Sequence, residues 1–184
     1  HIDDICESIA RCYRAHPGNY LVFFSAYYFM QQVHARFNAL YPEIDSVMQQ
    51  REFDESEQQQ FLSRFFDAGQ QLGFAIMGGR FAEGIDYQGD ALIGAIIVGV
   101  GLPQANTEQQ LIQQDFASLG FDGFDYAFRF PGLIRVKQSA GRVIRGEQDR
   151  GVVVLLDRRF QQTDYARHLP AHWSPVHCKD ADSL

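Results

Sequence analysis

Gln138-Ser139-Ala140-Gly141-Arg142-Val143-Ile144-Arg145-Gly146-Glu147-Gln148-Asp149 is the stretch on which the reading of this 184-residue sequence turns. Taken as a helix, it places Arg135, Gln138, Arg142 and Arg145 at i, i+3, i+7 and i+10, so three guanidinium groups and one amide share a face. Leu133, Val136, Ala140, Val143 and Ile144 fall largely on the opposite side and can pack on a sheet. Gly146 would stop the helix just after Arg145. The run Gly151-Val152-Val153-Val154-Leu155-Leu156-Asp157 follows at once and reads as a buried strand. Guanidinium forks fixed on one face suit a polyanion, because each can grip phosphate oxygens through two bonds. Charge alone does not distinguish this from a solvated basic face.

Outward from that stretch, apolar runs alternate with helical stripes. Ile2, Ile5, Ile9 and Tyr13 mark a helix that should end near His16-Pro17-Gly18. Tyr20 to Phe24 reads as a buried strand, with Ser25 as N-cap of a helix from Ala26 to about Leu40 that Pro42 forbids to continue. Ser46-Val47-Met48 is a short strand. Glu57 to Ala68 is a helix with Phe61, Leu62, Phe65 and Phe66 inward, and Leu72 to Met77 is the next strand. Gly78-Gly79 makes a sharp turn at its end, where parallel sheets bind ligands. Ala91 to Val100 is the expected central strand, and Thr107 caps a helix reaching Leu119. Pro131 opens the arginine helix. Repetition of the βαβ pattern predicts an α/β fold with a mainly parallel sheet and helices on both faces. Gly99 and Gly101 do not make a dinucleotide fingerprint, since Pro103-Gln104 stands where further pattern is needed. A small Rossmann-type reductase is therefore disfavoured.

Composition sets outer limits. Hydrophobic residues at 46% and charged residues at 21% are ordinary for a soluble domain with a sizeable core, and the chain reads as one domain, residues 1–184. No stretch approaches the ~20 apolar residues of a membrane span. No leader-like segment opens the chain, and three cysteines without a paired motif fit a reducing cytoplasm. Net charge is -7, yet residues 129–159 hold eight Lys or Arg against three acids, a local patch suited to a bound nucleotide. His168, His172, His177 and Cys178 sit at workable ligand spacings, but no paired-cysteine motif supports zinc and no metal site is assigned.

Residues 138–160, QSAGRVIRGEQDRGVVVLLDRRF, resemble the sixth helicase motif of superfamily-two DNA helicases of the XPD/Rad3 type, which include the bacterial DinG and YoaA helicases. Residues 78–89, GGRFAEGIDYQG, are similar to the fifth motif, and residues 20–27 to the fourth. That motif usually reads Phe-Phe-x-Ser-Tyr, whereas Phe23-Phe24-Ser25-Ala26-Tyr27 carries its hydroxyl one place early. The resemblance implies a RecA-like three-layer sandwich, the second motor domain of a longer two-motor helicase. It implies that Arg142, Arg145 and Gln138 act on the γ-phosphate, that Glu83, Gly84 and Asp86 complete the ATP site, and that Arg80, Phe81, Ser25 and Tyr27 meet DNA. Asp157 and Arg158 would brace the arginine helix.

The half that such a site needs is absent from this sequence. The chain has two lysines, Lys137 and Lys179, and neither stands in a GxxxxGK[ST] phosphate loop. Nor is there an Asp-Glu-Ala-His box for magnesium or a four-cysteine cluster. The resemblance implies that ATP and Mg²⁺ are shared with an N-terminal RecA-like domain of the same chain, with a 4Fe-4S cluster elsewhere in it. The expected function is 5′–3′ ATP-dependent unwinding of single-stranded or forked DNA in a bacterial cytoplasm, serving repair or replication, with no membrane partner. This fragment alone should be inactive. The alternative is a non-catalytic RecA-like module that docks protein or DNA.

Overall fold

The computed structural model describes residues 1–52, 54–67, 69–79, 92–143 and 150–178, without the side chains of 55 and 64–67. Among these, five strands form one parallel sheet in the order β2-β3-β1-β4-β5. They are β1 (Tyr20–Phe24), β2 (Ser46–Met48), β3 (Leu72–Ile76), β4 (Gly94–Val98) and β5 (Val152–Leu156). Helices α1 (Ile2–Ala15), α2 (Tyr27–Leu40), α3 (Glu55–Asp67), α4 (Thr107–Ser118), α5 (Phe130–Ala140) and α6 (Thr163–Ala166) surround it.

Side chains of successive strand residues point to opposite faces, so one apolar run feeds two cores. Val22 and Phe24 of β1 face Cys6, Ile9, Met30, Val33 and Phe37 of α1 and α2. Leu21 and Phe23 face Phe61 of α3, Leu133 and Val136 of α5, and Tyr165 of α6. The three-layer α/β sandwich predicted from sequence is therefore present. Phe24 stacks on Phe74 at 5.9 Å, and Phe37 tilts against the same ring at 5.6 Å.

Several local expectations are corrected. The central strand is β1, not the run 91–100, and β4 is shorter than that run. Both β1 and β4 are buried on both faces, so apolarity reported burial but not order. β5 is half-exposed rather than buried, because among the described residues it is an edge strand paired only with β4. The N-cap of α2 is Ala26, in extended conformation and without a side-chain bond, so Ser25 stands one residue too early to cap. The cap of α4 is Asn106, whose side chain accepts the Gln109 N–H at 2.8 Å, which leaves Thr107 inside the first turn. α3 begins at Glu55, where Asp54 and Glu57 exchange backbone-to-carboxylate bonds of 2.8 and 3.0 Å, a capping box. Phe61 is buried as expected, whereas the side chains of Phe65 and Phe66 lie outside the described set.

Candidate nucleotide-facing site at the strand C-terminal rim

The arginine helix starts earlier and stops sooner than its sequence suggests. A π-helical turn, Asp125–Arg129, leads straight into α5, with Pro131 in the first turn of the α-helix proper. Pro131 lacks an N–H and is tolerated there because no intrahelical donor is needed. At the other end α5 closes at Ala140. Gly141 donates to Lys137 O at 2.9 Å, then Arg142 and Val143 donate to carbonyls three residues back at 3.3 and 3.2 Å. The chain tightens and leaves the helix here, so the expectation of one helix running through Arg145 is corrected. Gln138 is exposed on the last turn of α5, and half-buried Arg142 stands in the turn beyond it. Ile144, Arg145 and the Gly146 stop lie outside the described residues, as do Arg80, Phe81, Glu83, Gly84 and Asp86.

What seats α5 is a close approach between two glycines. A Cβ on Gly132 would lie 2.6 Å from Val100 O, and one on Gly101 2.6 Å from Gly132 O. No larger residue fits either place without moving backbone, so Gly101 after β4 serves helix packing. Below them, Leu133 and Val136 of α5 and Val143 beyond it join the core under β1 and β4.

The exposed face of α5 then forms one wall of an open groove with Gly78, Tyr126, Phe130, Pro131, Ile134, Arg135 and Gln138 along it. Gly78 adopts φ +69°, a left-handed conformation natural to glycine, and lets the Arg135 side chain pass 3.6 Å from where a Cβ would sit. The structure thus brings together the first glycine of the fifth-motif stretch and the helix of the sixth. Among the described residues Arg135 has no acidic partner, which leaves its guanidinium available to an anion. Arg135 was visible in the helical spacing, but only the structure places it against Gly78.

Ser25 and Tyr27 lie on the same rim, at the C-terminal end of β1. Ser25 is exposed and Tyr27 is half-buried, its hydroxyl 3.5 Å from Gln50 Oε1. Among the described residues Asp157 pairs with Arg159 and not with the arginine helix. Its carboxylate caps the 3₁₀ turn Arg158–Gln161 by accepting from Arg159 N, Nε and Nη2 at 2.8, 3.0 and 2.7 Å. Burial pushes that carboxyl up, but the bonds and charge of Arg159 outweigh it and hold Asp157 below the usual carboxylate range.

The base of α5 is braced instead by a cluster that sequence reading missed. Asp125 and Arg129, one turn apart and both buried, form an ion pair, and Arg129 also lies over the rings of Phe124 and Tyr165 at 5.4 and 5.1 Å. Arg167 reaches Asp125 and Asp164 reaches Arg129, each at 3.8 Å, which ties α6 to the start of the arginine helix. The i, i+4 spacing of Asp125 and Arg129 was the available signal. In the tail, His168 packs edge-on against Phe130 at 5.0 Å. No group of three metal-capable side chains occurs among the described residues, and no helix of them is long and apolar enough to cross a membrane.

Comparison with known proteins agrees with this arrangement. Residues 9–176 match the model of a family described as the helicase C-terminal domain. A probable ATP-dependent helicase of Methanocaldococcus jannaschii is 35% identical over 116 residues, which is 58% of this chain and 17% of that protein. The ATP-dependent DNA helicase YoaA of Escherichia coli is 32% identical over 125 residues, 66% of this chain and 19% of its own. The ATP-dependent DNA helicase XPD of Sulfolobus acidocaldarius is 26% identical over 167 residues, 89% of this chain and 29% of that one. The chain thus spans less than a third of the length of these curated relatives. Among solved structures, an XPD helicase superposes with a TM-score of 0.74 at 21% identity, over 90% of this chain and 29% of that chain. The second domain of the DEAD-box helicase Mss116p, bound to an RNA duplex, reaches 0.53 at 12% identity, over 87% and 51% of the two chains. At such identities the likeness shows the fold, which is that of a RecA-like helicase domain. The matched family model covers all but the two ends, and the chain belongs to the helicase C-terminal domain family, with XPD/Rad3-like helicases among the proteins it is similar to.

Proposed function

We propose that this chain is the second motor domain of an ATP-dependent DNA helicase and supplies the arginine half of an interdomain ATP site. The observation that carries the reading is the meeting of Gly78 and Arg135 at the C-terminal rim of a parallel sheet, with Gln138 on the same helix face. Such a rim is where open α/β sheets bind ligands. A face of guanidinium and amide groups is suited to the oxygens of a transferring phosphoryl group.

In this reading ATP lies between this domain and an N-terminal RecA-like domain that brings the phosphate loop and the magnesium carboxylates. Arg145 and Arg142 stabilise charge on the γ-phosphoryl group as it transfers to water, and Gln138 orients that group or the attacking water. Glu83, Gly84 and Asp86 line the phosphates and ribose. Arg80, Phe81, Ser25 and Tyr27 contact single-stranded DNA, which advances 5′ to 3′ as the two domains close on ATP and part after hydrolysis. The chain's own cysteines do not fit an iron–sulfur cluster. Cys6 and Cys12 are buried, with thiols pushed up to about 11 by burial, and Cys178 is far along the chain. Such a cluster belongs to another part of the protein.

The test uses the full-length protein. ATP turnover is measured with and without single-stranded DNA, and strand displacement on duplexes bearing a 5′ or a 3′ single-stranded tail. The expected result is turnover that DNA stimulates, with displacement of the 5′-tailed substrate. Turnover indifferent to DNA, or none, would overturn the reading in favour of a docking module.

A further inference from the structure

At the outer edge of the sheet, β2 runs beside β3 only from Ser46 to Met48, opposite Leu72 to Phe74. Gln49 then carries the ladder on by two different groups. Its backbone N–H donates to Phe74 O at 2.8 Å, and its side-chain Oε1 accepts from the Ile76 N–H at 3.0 Å. An amide side chain thus takes the place of the next strand residue and satisfies a donor on the open side of β3.

The position of this substitution matters more than the bond itself. On the other side of β3, the Met77 N–H donates to Phe24 O at 2.8 Å, so the last residues before the turn are held from both flanks. Gly78 and Gly79 come next. Gln49 Nε2 lies 3.6 Å from where a Cβ on Gly79 would sit, and Arg135 covers Gly78 at the same distance. The adjacent Gln50 accepts from the Tyr27 hydroxyl at 3.5 Å. A short run of contacts therefore joins the start of α2, through two neighbouring glutamines, to the glycine turn and the arginine helix.

We propose that Gln49 is a positioning residue: it fixes the Gly78-Gly79 turn and couples DNA held at the start of α2 to ATP turnover at α5. Gln49 touches neither ligand. It acts by setting where the turn, and with it Arg135, stands when both ligands are bound. The inference rests on the helicase reading given above and adds a residue to it.

The test again uses the full-length protein. Gln49→Met keeps the length of the side chain and removes the acceptor, while Gln49→Glu keeps an acceptor oxygen. Four quantities are read: hydrogen exchange at the Ile76 amide, turnover without DNA, turnover at saturating single-stranded DNA, and DNA affinity. For Gln49→Met the Ile76 amide should exchange faster, and DNA stimulation should fall roughly twofold to thirtyfold, the range for residues that carry coupling without contacting a ligand. Basal turnover and DNA affinity should stay at wild-type values, and Gln49→Glu should restore most of the stimulation. Faster exchange with unchanged stimulation would overturn the proposal, because the bond would then seal an edge and position nothing. Equal loss of basal and stimulated turnover would overturn it too. If the wild-type protein shows no DNA-stimulated turnover, it is the helicase reading that fails, and the exchange data still report whether Gln49 holds the turn.

Discussion

Among the described residues, an amide side chain at each rim of the sheet accepts a backbone N–H at an end of β3. At the N-terminal rim Asn19 Oδ1 accepts from Gln71 N at 2.8 Å, and at the C-terminal rim Gln49 Oε1 accepts from Ile76 N at 3.0 Å. Their surroundings differ. Asn19 and Gln71 are both sealed, at 2% and 1% exposure. The Asn19 carbonyl takes Ile93 N and Gly94 N at 2.9 and 3.3 Å, and Gln71 O takes Tyr20 N at 2.9 Å. Three strands begin from that knot, and nothing faces outward. At the other rim the bonded residue leads into a glycine turn and a groove where Arg135 and Gln138 stand open. Identical chemistry thus closes one end of the sheet and arranges the other. The difference follows from parallel topology, in which loops after strand C-termini gather on a single side.

If the division is real, changes at the open rim alter turnover and changes at the closed rim alter stability. The largest expected effect is at the arginines. If the proposed function holds, Arg145→Ala in the full-length protein should reduce ATP turnover by on the order of 10³–10⁵, the contribution of arginine fingers in well-studied nucleotide hydrolases. Arg142→Ala should do nearly as much, with a larger shift in the melt because its half-buried stem also packs. Lysine at either place should rescue poorly, since a point charge cannot reproduce a planar fork. Steady-state turnover at saturating DNA, beside a thermal melt of each variant, reads both axes. Near-normal turnover in Arg145→Ala would reduce the patch to a solvated basic face.

The closed rim should answer in the opposite way. Asn19→Ala removes the acceptor of a buried N–H and should cost about 1–3 kcal/mol of stability. Well below the melting temperature its turnover should equal wild type. Denaturant unfolding and turnover at low temperature check this together, and a turnover defect without a stability defect would break the comparison.

How far the sequence reveals this arrangement depends on which interactions are local. The runs Tyr20–Phe24, Leu72–Ile76 and Gly94–Val98 are legible because a strand buried on both faces must be apolar throughout. Their order is not, because β1 and β4 carry the same burial and differ only in what lies beside them. The buried face of α5 is legible from spacing. Its end is not, because Gly141 sits in ordinary right-handed backbone (φ -66°, ψ 0°) and gives no stop signal such as Gly146 offers. The open groove follows from Gly78 meeting Arg135, residues 57 apart in sequence, and no local pattern reports a contact of that range. Neither does any report Gln49, a glutamine within a polar stretch whose partner is a backbone N–H across the sheet edge.

The smallest expected effect sharpens the comparison at the edge strand that carries Gln49. His34 of α2 lies against that strand, its Nε2 3.1 Å from Ser46 Oγ and its ring edge-on to Phe74 at 4.8 Å. Burial lowers its pKa below 6.5, so the folded protein holds the ring neutral where the unfolded chain would begin to protonate it. The unfolded state then binds more protons, and stability falls as pH drops. The contribution is fully present above pH 6.5 and is lost progressively below it, until the folded-state pKa is reached. Replacing His34 with Gln removes this titration and keeps a side chain able to bond Ser46. Melts of wild type and His34→Gln between pH 7.5 and 5 should therefore diverge on the acid side, with the wild type losing more. Parallel curves would mean that His34 is not held neutral by the fold. A divergence confined to stability would place β2 with the closed rim, and leave the reach of Gln49 across to Ile76 as the point where that strand begins to serve the open one.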